Sequence, residues 1–206
     1  DNVAIGEASL DAVTTGSDNV AIGDNALGAQ TTASFNVGIG SDAGLAITTG
    51  DRNVAIGYQA LKTNTVGDRS VAVGYSALYT QNPASNADMG NVAIGNLSMY
   101  STTTGTNNTG VGFNSMFANT TGANNTAVGA LAGDAITTGL GNVAVGYRSL
   151  SSNTTAASNT AIGVDALTSN TTGTSNTAVG RDTLNQQTTA SYNTALGHQA
   201  LNLNTS

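Results

Sequence analysis

His198 is the only histidine of the chain, and cysteine is absent. A catalytic or metal-binding histidine needs convergent partners, and the sequence offers His198 only Arg181 and Asp182 one repeat upstream. It reads as a surface residue. The acids are scattered singly, with neither the G-G-x-G-x-D pattern of a calcium-binding β-roll nor the clustered carboxylates of a glycosidase. Gly38-Ile-Gly40 and Gly110-Val-Gly112 look like fragments of a phosphate loop, but they lack the setting and partners that phosphate binding needs. Asn119, Asn153 and Asn170 fit the N-x-[ST] acceptor pattern only because a repeat generates it. Five basic against twelve acidic residues leave a net charge of −7, which gives no basic footprint for nucleic acid. No apolar run approaches the ~18 residues of a membrane helix. We therefore expect a non-enzyme with no cofactor, no metal, no nucleic-acid partner and no membrane insertion.

The positions of these residues are set by a repeat. One glycine follows a small-aliphatic run at Gly6, Gly23, Gly40, Gly57, Gly74 and Gly95, and so on to Gly197. The spacings are 17, 17, 17, 17, 21, then 17 six times. That makes twelve copies of N-[VT]-A-[IV]-G-x-x-A-L-x-x-N-T-T-G-x-x with one four-residue insertion. Residues 1–206 form a single repeat array, interrupted only at 80–90, with no second domain.

A 17-residue unit is too short for a helical-hairpin repeat. N-V-A-I-G is a short β-branched run bounded by turn formers, and T-T-G supplies the next turn. The expected fold is all-β: a parallel β-solenoid or β-roll of about twelve coils, stacked ~4.8 Å apart into a rod of roughly 60 Å. The expected core of each coil is the Ile or Val before the glycine, the Leu four after it, and two Ala. Gly44 and Gly133 replace that Leu in two copies, and Ile47 and Ile136 appear three residues later to restore the lost volume. Two Asn ladders are expected, one at the start of the strand and one before Thr-Thr-Gly. So thin a core gains little against backbone entropy, so we expect three rods to assemble as a homotrimer.

The aromatics keep to a few phases of the repeat. Tyr58 and Tyr75, with Phe113 and Tyr147, lie one after the glycine. Tyr79, Tyr100 and Phe117 lie five after it, in three consecutive copies, and should stack into a stripe. Pro83, the only proline, lies beside them in the insertion. Either these residues pack at a coil corner or subunit interface, or Tyr58, Tyr75, Tyr79, Pro83, Tyr100 and Phe117 form a surface-recognition patch. Asp51-Arg52 and Asp68-Arg69 stand one period apart, and diagonal Asp–Arg pairing should relieve the stacking of like charges.

The N-V-A-I-G motif, as at Asn2–Gly6 and Asn91–Gly95, resembles the head repeats of trimeric autotransporter adhesins. The longer unit, as in Asn170-Thr-Thr-Gly173 followed by Asn176-Thr-Ala-Val-Gly180, is similar to the repeat arrays of phage tail fibres. The resemblance spans the chain. It implies a trimeric extracellular fibre, on a virion tail or a bacterial surface, that contacts a host-cell glycan or receptor. An ice-binding solenoid using the Thr-Thr rows is the alternative from another class, and a bacterial adhesin head is the nearer one. The chain opens in mid-pattern at Asp1-Asn2-Val3 and stops at Asn204-Thr205-Ser206 without a capping segment, so we expect it to be a slice of a longer fibre.

Overall fold

The computed structural model describes residues 1–203; residues 204–206 lie outside them. Twelve short strands, from Asn2–Ile5 to Thr194–Leu196, stack as one parallel sheet in sequence order. Each pairs with the equivalent strand of the next copy, as Val54 does with Val71 and Ala55 with Ala72. The chain is a parallel β-solenoid of about eleven turns, with no helix among the described residues. Coils are numbered here by their anchor glycine, from coil 1 (Gly6) to coil 12 (Gly197).

Side chains alternate along a strand, and here the alternation places the small residues inside. Asn and Ala of N-V-A-I point inward: Asn53 and Ala55 are buried, as are Asn91 and Ala93. Val and Ile therefore point out, and Ile22, Ile94 and Ile162 are exposed. This corrects the expectation that the residue before the glycine belongs to the core. The interior has no room for it, because the Leu or Met of the turn already occupies the centre. A Cβ added to Gly38 would stand 2.7 Å from Leu27 Cγ, and one on Gly110 2.8 Å from Met99 Cγ. The core of each coil is thus that Leu or Met with two small residues, as with Leu78, Ala72 and Ala77. The same tight contacts show Gly38 and Gly110 to be strand positions facing the core, away from any phosphate.

The central Leu sits in the left-handed region, at φ 50° for Leu27 and 52° for Leu61. That conformation costs roughly 1–2 kcal/mol for a residue with a Cβ, so the Leu is retained for its packing. Gly44 and Gly133 take the same conformation, at φ 60° and 55°, without that cost. Ile47 and Ile136 fill the volume they leave; a Cβ on Gly133 would lie 2.8 Å from Ile136 Cδ1. Both isoleucines are buried, as the compensation in the sequence implies.

The Asn at the start of each strand forms the expected ladder. Asn36 N–H donates to Asn19 Oδ1 at 2.9 Å, and Asn53 N–H to Asn36 Oδ1 at 2.8 Å. Each amide also donates to the carbonyl that closes the Thr-Thr turn, as Asn53 Nδ2 does to Gly67 O at 2.9 Å. The second ladder does not form. Gln30, Ile47, Gln81, Thr102 and Ile136 interrupt that column, and its asparagines bond locally instead, as Asn64 Nδ2 does to Gly67 O at 2.8 Å.

Ser70 replaces Asn in the first ladder, and Gln81 repairs the gap. Gln81 Oε1 accepts from Ser70 Oγ at 3.2 Å and from Asn91 Nδ2 at 2.9 Å, and Gln81 is fully buried. Gln81→Leu removes the acceptor between two buried polar groups. The expected loss is ~1–3 kcal/mol, read as a lowered midpoint in thermal or urea unfolding. Gln187→Leu, near the last coil, should cost less.

The insertion folds onto the rod. Gly67–Asp68 pairs in parallel with Ala87–Asp88, and Met89 and Pro83 pack beneath it. A Cβ on Gly67 would stand 2.9 Å from Met89 Cγ and 3.2 Å from Pro83 Cδ. Pro83 is buried, so it cannot belong to an exposed recognition patch; Asn82, the tip from Ala84 to Asn86, and Asp88 face water.

Candidate functional site

Three surfaces run the length of the rod. The first is the outward face of the sheet. Its two columns hold Val or Thr and Ile, Val or Leu, with no charged residue in any copy.

The second is the turn that follows the anchor glycine. A residue two after one glycine meets the residue five after the next: Lys62 Nζ lies 3.0 Å from Asp42 Oδ2, and Thr168 Oγ1 donates to Arg148 O at 3.2 Å. Tyr79, Tyr100 and Phe117 occupy this second column. They stack as expected, with centroids 5.1 and 5.5 Å apart and planes within 13° and 9° of parallel. All three are half-buried, and inner rings of such a stack cover one another's faces. Lys62 precedes Tyr79 in the column and Asp134 follows Phe117. The Lys62 ammonium, donating to Asp42, holds that carboxyl below its usual value despite burial. The carboxylate in turn raises Lys62. Asp134 is pushed up by burial, and its Oδ1 is enclosed without a hydrogen-bond partner.

One residue after the glycine, Tyr58 and Tyr75 are exposed and stack at 5.5 Å. Phe113 and Tyr147 are exposed in the same column. The six-residue patch read from the sequence therefore divides. Tyr58 and Tyr75 are open to solvent, Tyr79, Tyr100 and Phe117 form a half-buried ladder, and Pro83 is inside. Phe113 and Tyr147, left out of that patch, are as exposed as Tyr58; their shared phase with Tyr58 and Tyr75 was the signal.

The third surface carries the Thr-Thr turn. The first Thr of most pairs is tied down, as Thr120 Oγ1 donates to Thr137 O and Thr137 Oγ1 to Thr154 O. The second, such as Thr121, Thr138 and Thr172, is exposed. Beside it, Ser34 N–H donates to Asp51 Oδ1 at 2.7 Å and Asp51 N–H to Asp68 Oδ1 at 2.8 Å. Stacked Asp residues are thus held mainly by backbone donors. Diagonal pairing occurs once here, between Arg69 and Asp88, while Arg52 lies over the Phe35 ring at 5.8 Å.

His198 is exposed, with Nε2 4.0 Å from Asp182 Oδ2. Among the described residues there is no group of three or more metal-ligating side chains and no cavity. No helix long and apolar enough to cross a membrane occurs among them. No family model matches the chain, and neither a curated protein nor a solved structure matches it. Function is therefore read from the surfaces themselves.

Proposed function

We propose that this chain is a non-enzymatic segment of an extracellular fibre, on a phage tail or a bacterial surface. It assembles as a homotrimer and presents a recognition surface to a host-cell glycan or receptor. The observation that carries this is the outward sheet face. Isolated surface apolar residues are ordinary, but two adjacent uncharged columns over twelve coils form a continuous strip. A strip of that size marks an interaction surface. Its regular, self-similar character favours other copies of the chain as the partner. The resemblance of the repeat to trimeric fibre proteins supports three copies.

Variation is concentrated on the turn that follows the glycine. This division of labour, a uniform seam and a variable turn, suits a shaft that carries a recognition surface. The ice-binding alternative is less well supported. In most coils the first Thr of the pair is half-buried and only the second is fully exposed, so a template would rest mainly on one column, broken by Val66 and the insertion.

Sedimentation equilibrium should give a particle of three times 20.3 kDa. A stable 20.3 kDa species that unfolds cooperatively would overturn the assembly. Thermal hysteresis in the protein solution would favour the ice-binding alternative.

A further inference from the structure

Resting on the recognition surface proposed above, we propose that the column one residue after the anchor glycine is a binding track for a neutral, linear, β-linked polysaccharide. The polymer lies parallel to the rod axis, with Tyr75, Phe113 and Tyr147 as its contact points. These three are 50%, 51% and 49% exposed. They occupy coils 5, 7 and 9, so neighbours stand two coil steps apart, or ~9.6 Å. Asn96 and Ala130, both short, lie between them. In an extended β-1,4-linked chain, alternate pyranose rings turn the same face outward. Equivalent faces thus recur once per disaccharide, a length close to two coil steps. The C–H face of a pyranose is apolar and fits the electron-rich face of an aromatic ring.

The other aromatics are less suited. Tyr79, Tyr100 and Phe117 cover one another. Phe113 and Tyr147 have no aromatic stacking partner among the described residues, and Tyr75 has one, Tyr58. The track also stays open when copies of the chain meet through the sheet face. Its column carries Glu7, Asp24 and Arg181, charges that the sheet columns exclude.

Charge selects the class of polymer. Every basic side chain already has a partner: Arg52 on Phe35, Lys62 with Asp42, Arg69 with Asp88, Arg148 with Asp165 and Arg181 with Asp182. With a net charge of −7 and the one Arg of the track column, Arg181, paired with Asp182, a polyanionic glycan is repelled. Shallow contacts repeated along a line, with no cavity among the described residues, fit a polymer better than a small sugar.

The test is native affinity electrophoresis of the assembled protein through gels containing hydroxyethyl cellulose, β-1,4-xylan, dextran or hyaluronate. Retardation is expected from the two neutral β-linked polymers and not from α-linked dextran or anionic hyaluronate. The triple variant Tyr75→Ala, Phe113→Ala, Tyr147→Ala should weaken it at least about tenfold, 1.4 kcal/mol, with melting and sedimented mass unchanged. The single variant Phe113→Asn is the second reading should the triple variant melt early; it should weaken binding by a smaller factor. Tyr192→Ala removes an aromatic that is 83% exposed but off the track, and should change nothing. The track is overturned if neither neutral β-linked polymer retards the protein. It is equally overturned if hyaluronate or dextran retards it as strongly, or if the variants bind like the parent. A wild-type trimer that binds none of the polymers sinks the track and leaves the fibre segment standing; a monomer that binds them does the reverse.

Discussion

Leu150→Asp should abolish cooperative folding of the coils around it, while Ile94→Asp should leave each rod folded and separate the assembled copies. Both are large aliphatic residues at repeating positions, Leu150 beside Leu167 and Ile94 beside Val73 and Val111, so hydropathy alone would rank them together. The structure separates them. Leu150 is 0% exposed and lies in the continuous core with Ala144, Ala161 and Leu167. Truncating such a Leu costs ~2–5 kcal/mol, and a buried carboxylate without a partner adds to that. The total is comparable to the whole stability of a domain, ~5–15 kcal/mol. Ile94 is 40% exposed on the outer face of its strand. An Asp there keeps its water in the isolated rod and loses it only where copies meet. Circular dichroism melts with sedimentation velocity separate the two effects. Thr172→Asp, on the exposed turn, should change stability by no more than ~0.5 kcal/mol. Equal loss of secondary structure in Ile94→Asp and Leu150→Asp would mean that the strand faces are reversed.

Gly112→Ala should be nearly as damaging, by a different route. Gly112 has φ +136°, and its equivalents in all twelve coils fall between +116° and +137°. That region is essentially closed to residues with a Cβ, at a cost of order 1–3 kcal/mol. A Cβ would also stand 2.5 Å from Gly129 O and 2.6 Å from Gly129 C in the next coil. The backbone cannot retreat, because Gly112 N–H donates to Ile94 O at 2.7 Å and Gly129 N–H to Val111 O at 2.8 Å. Strain and clash together should exceed ~3 kcal/mol, above the usual range for one substitution. Gly141→Ala is the control. Gly141 has φ +64° with nothing within 4 Å of the added carbon, so only the ~1–2 kcal/mol of the left-handed conformation is lost. Matched urea titrations of the two variants give the comparison, and similar losses would show that the close stacking of anchor glycines is not what fixes them.

Much of the fold was legible because a repeat repeats its constraints. The period, the strand at N-V-A-I, the first Asn ladder and the exchange of Leu for Gly44 with Ile47 all follow from aligned positions. The inward face was misread at Ile94 and its equivalents because apolar size was taken as a sign of burial. Alternation from the inward Asn91 would have placed Val92 and Ile94 outside and Ala93 inside. The left-handed conformation of Leu27 was not legible, since nothing in its type favours it; tertiary packing imposes it. The second Asn ladder failed because its asparagines bond to backbone groups three residues on, so that even Asn153 and Asn170, in adjacent coils, do not bond each other. Pro83 looked like a surface landmark by composition, yet the insertion needs an apolar underside, and Pro83 with Met89 supplies it. The aromatic stripe at Tyr79, Tyr100 and Phe117 was legible from phase alone, but its covered ring faces were not.

The proposed seam between copies is most directly tested by thiol accessibility. The chain has no cysteine, so one introduced thiol reports one position. Ile94→Cys and Thr172→Cys, each in otherwise unchanged protein, would be reacted with a bulky maleimide under native conditions. Both side chains are exposed in the single rod. If copies meet through the outward sheet face, Ile94→Cys should react far more slowly than Thr172→Cys and gain reactivity when the assembly is dissociated by denaturant. Oxidation should link it to the same residue of another copy. Equal rates at the two positions in the native protein, with no cross-link at Cys-substituted Ile94, would contradict assembly through this face.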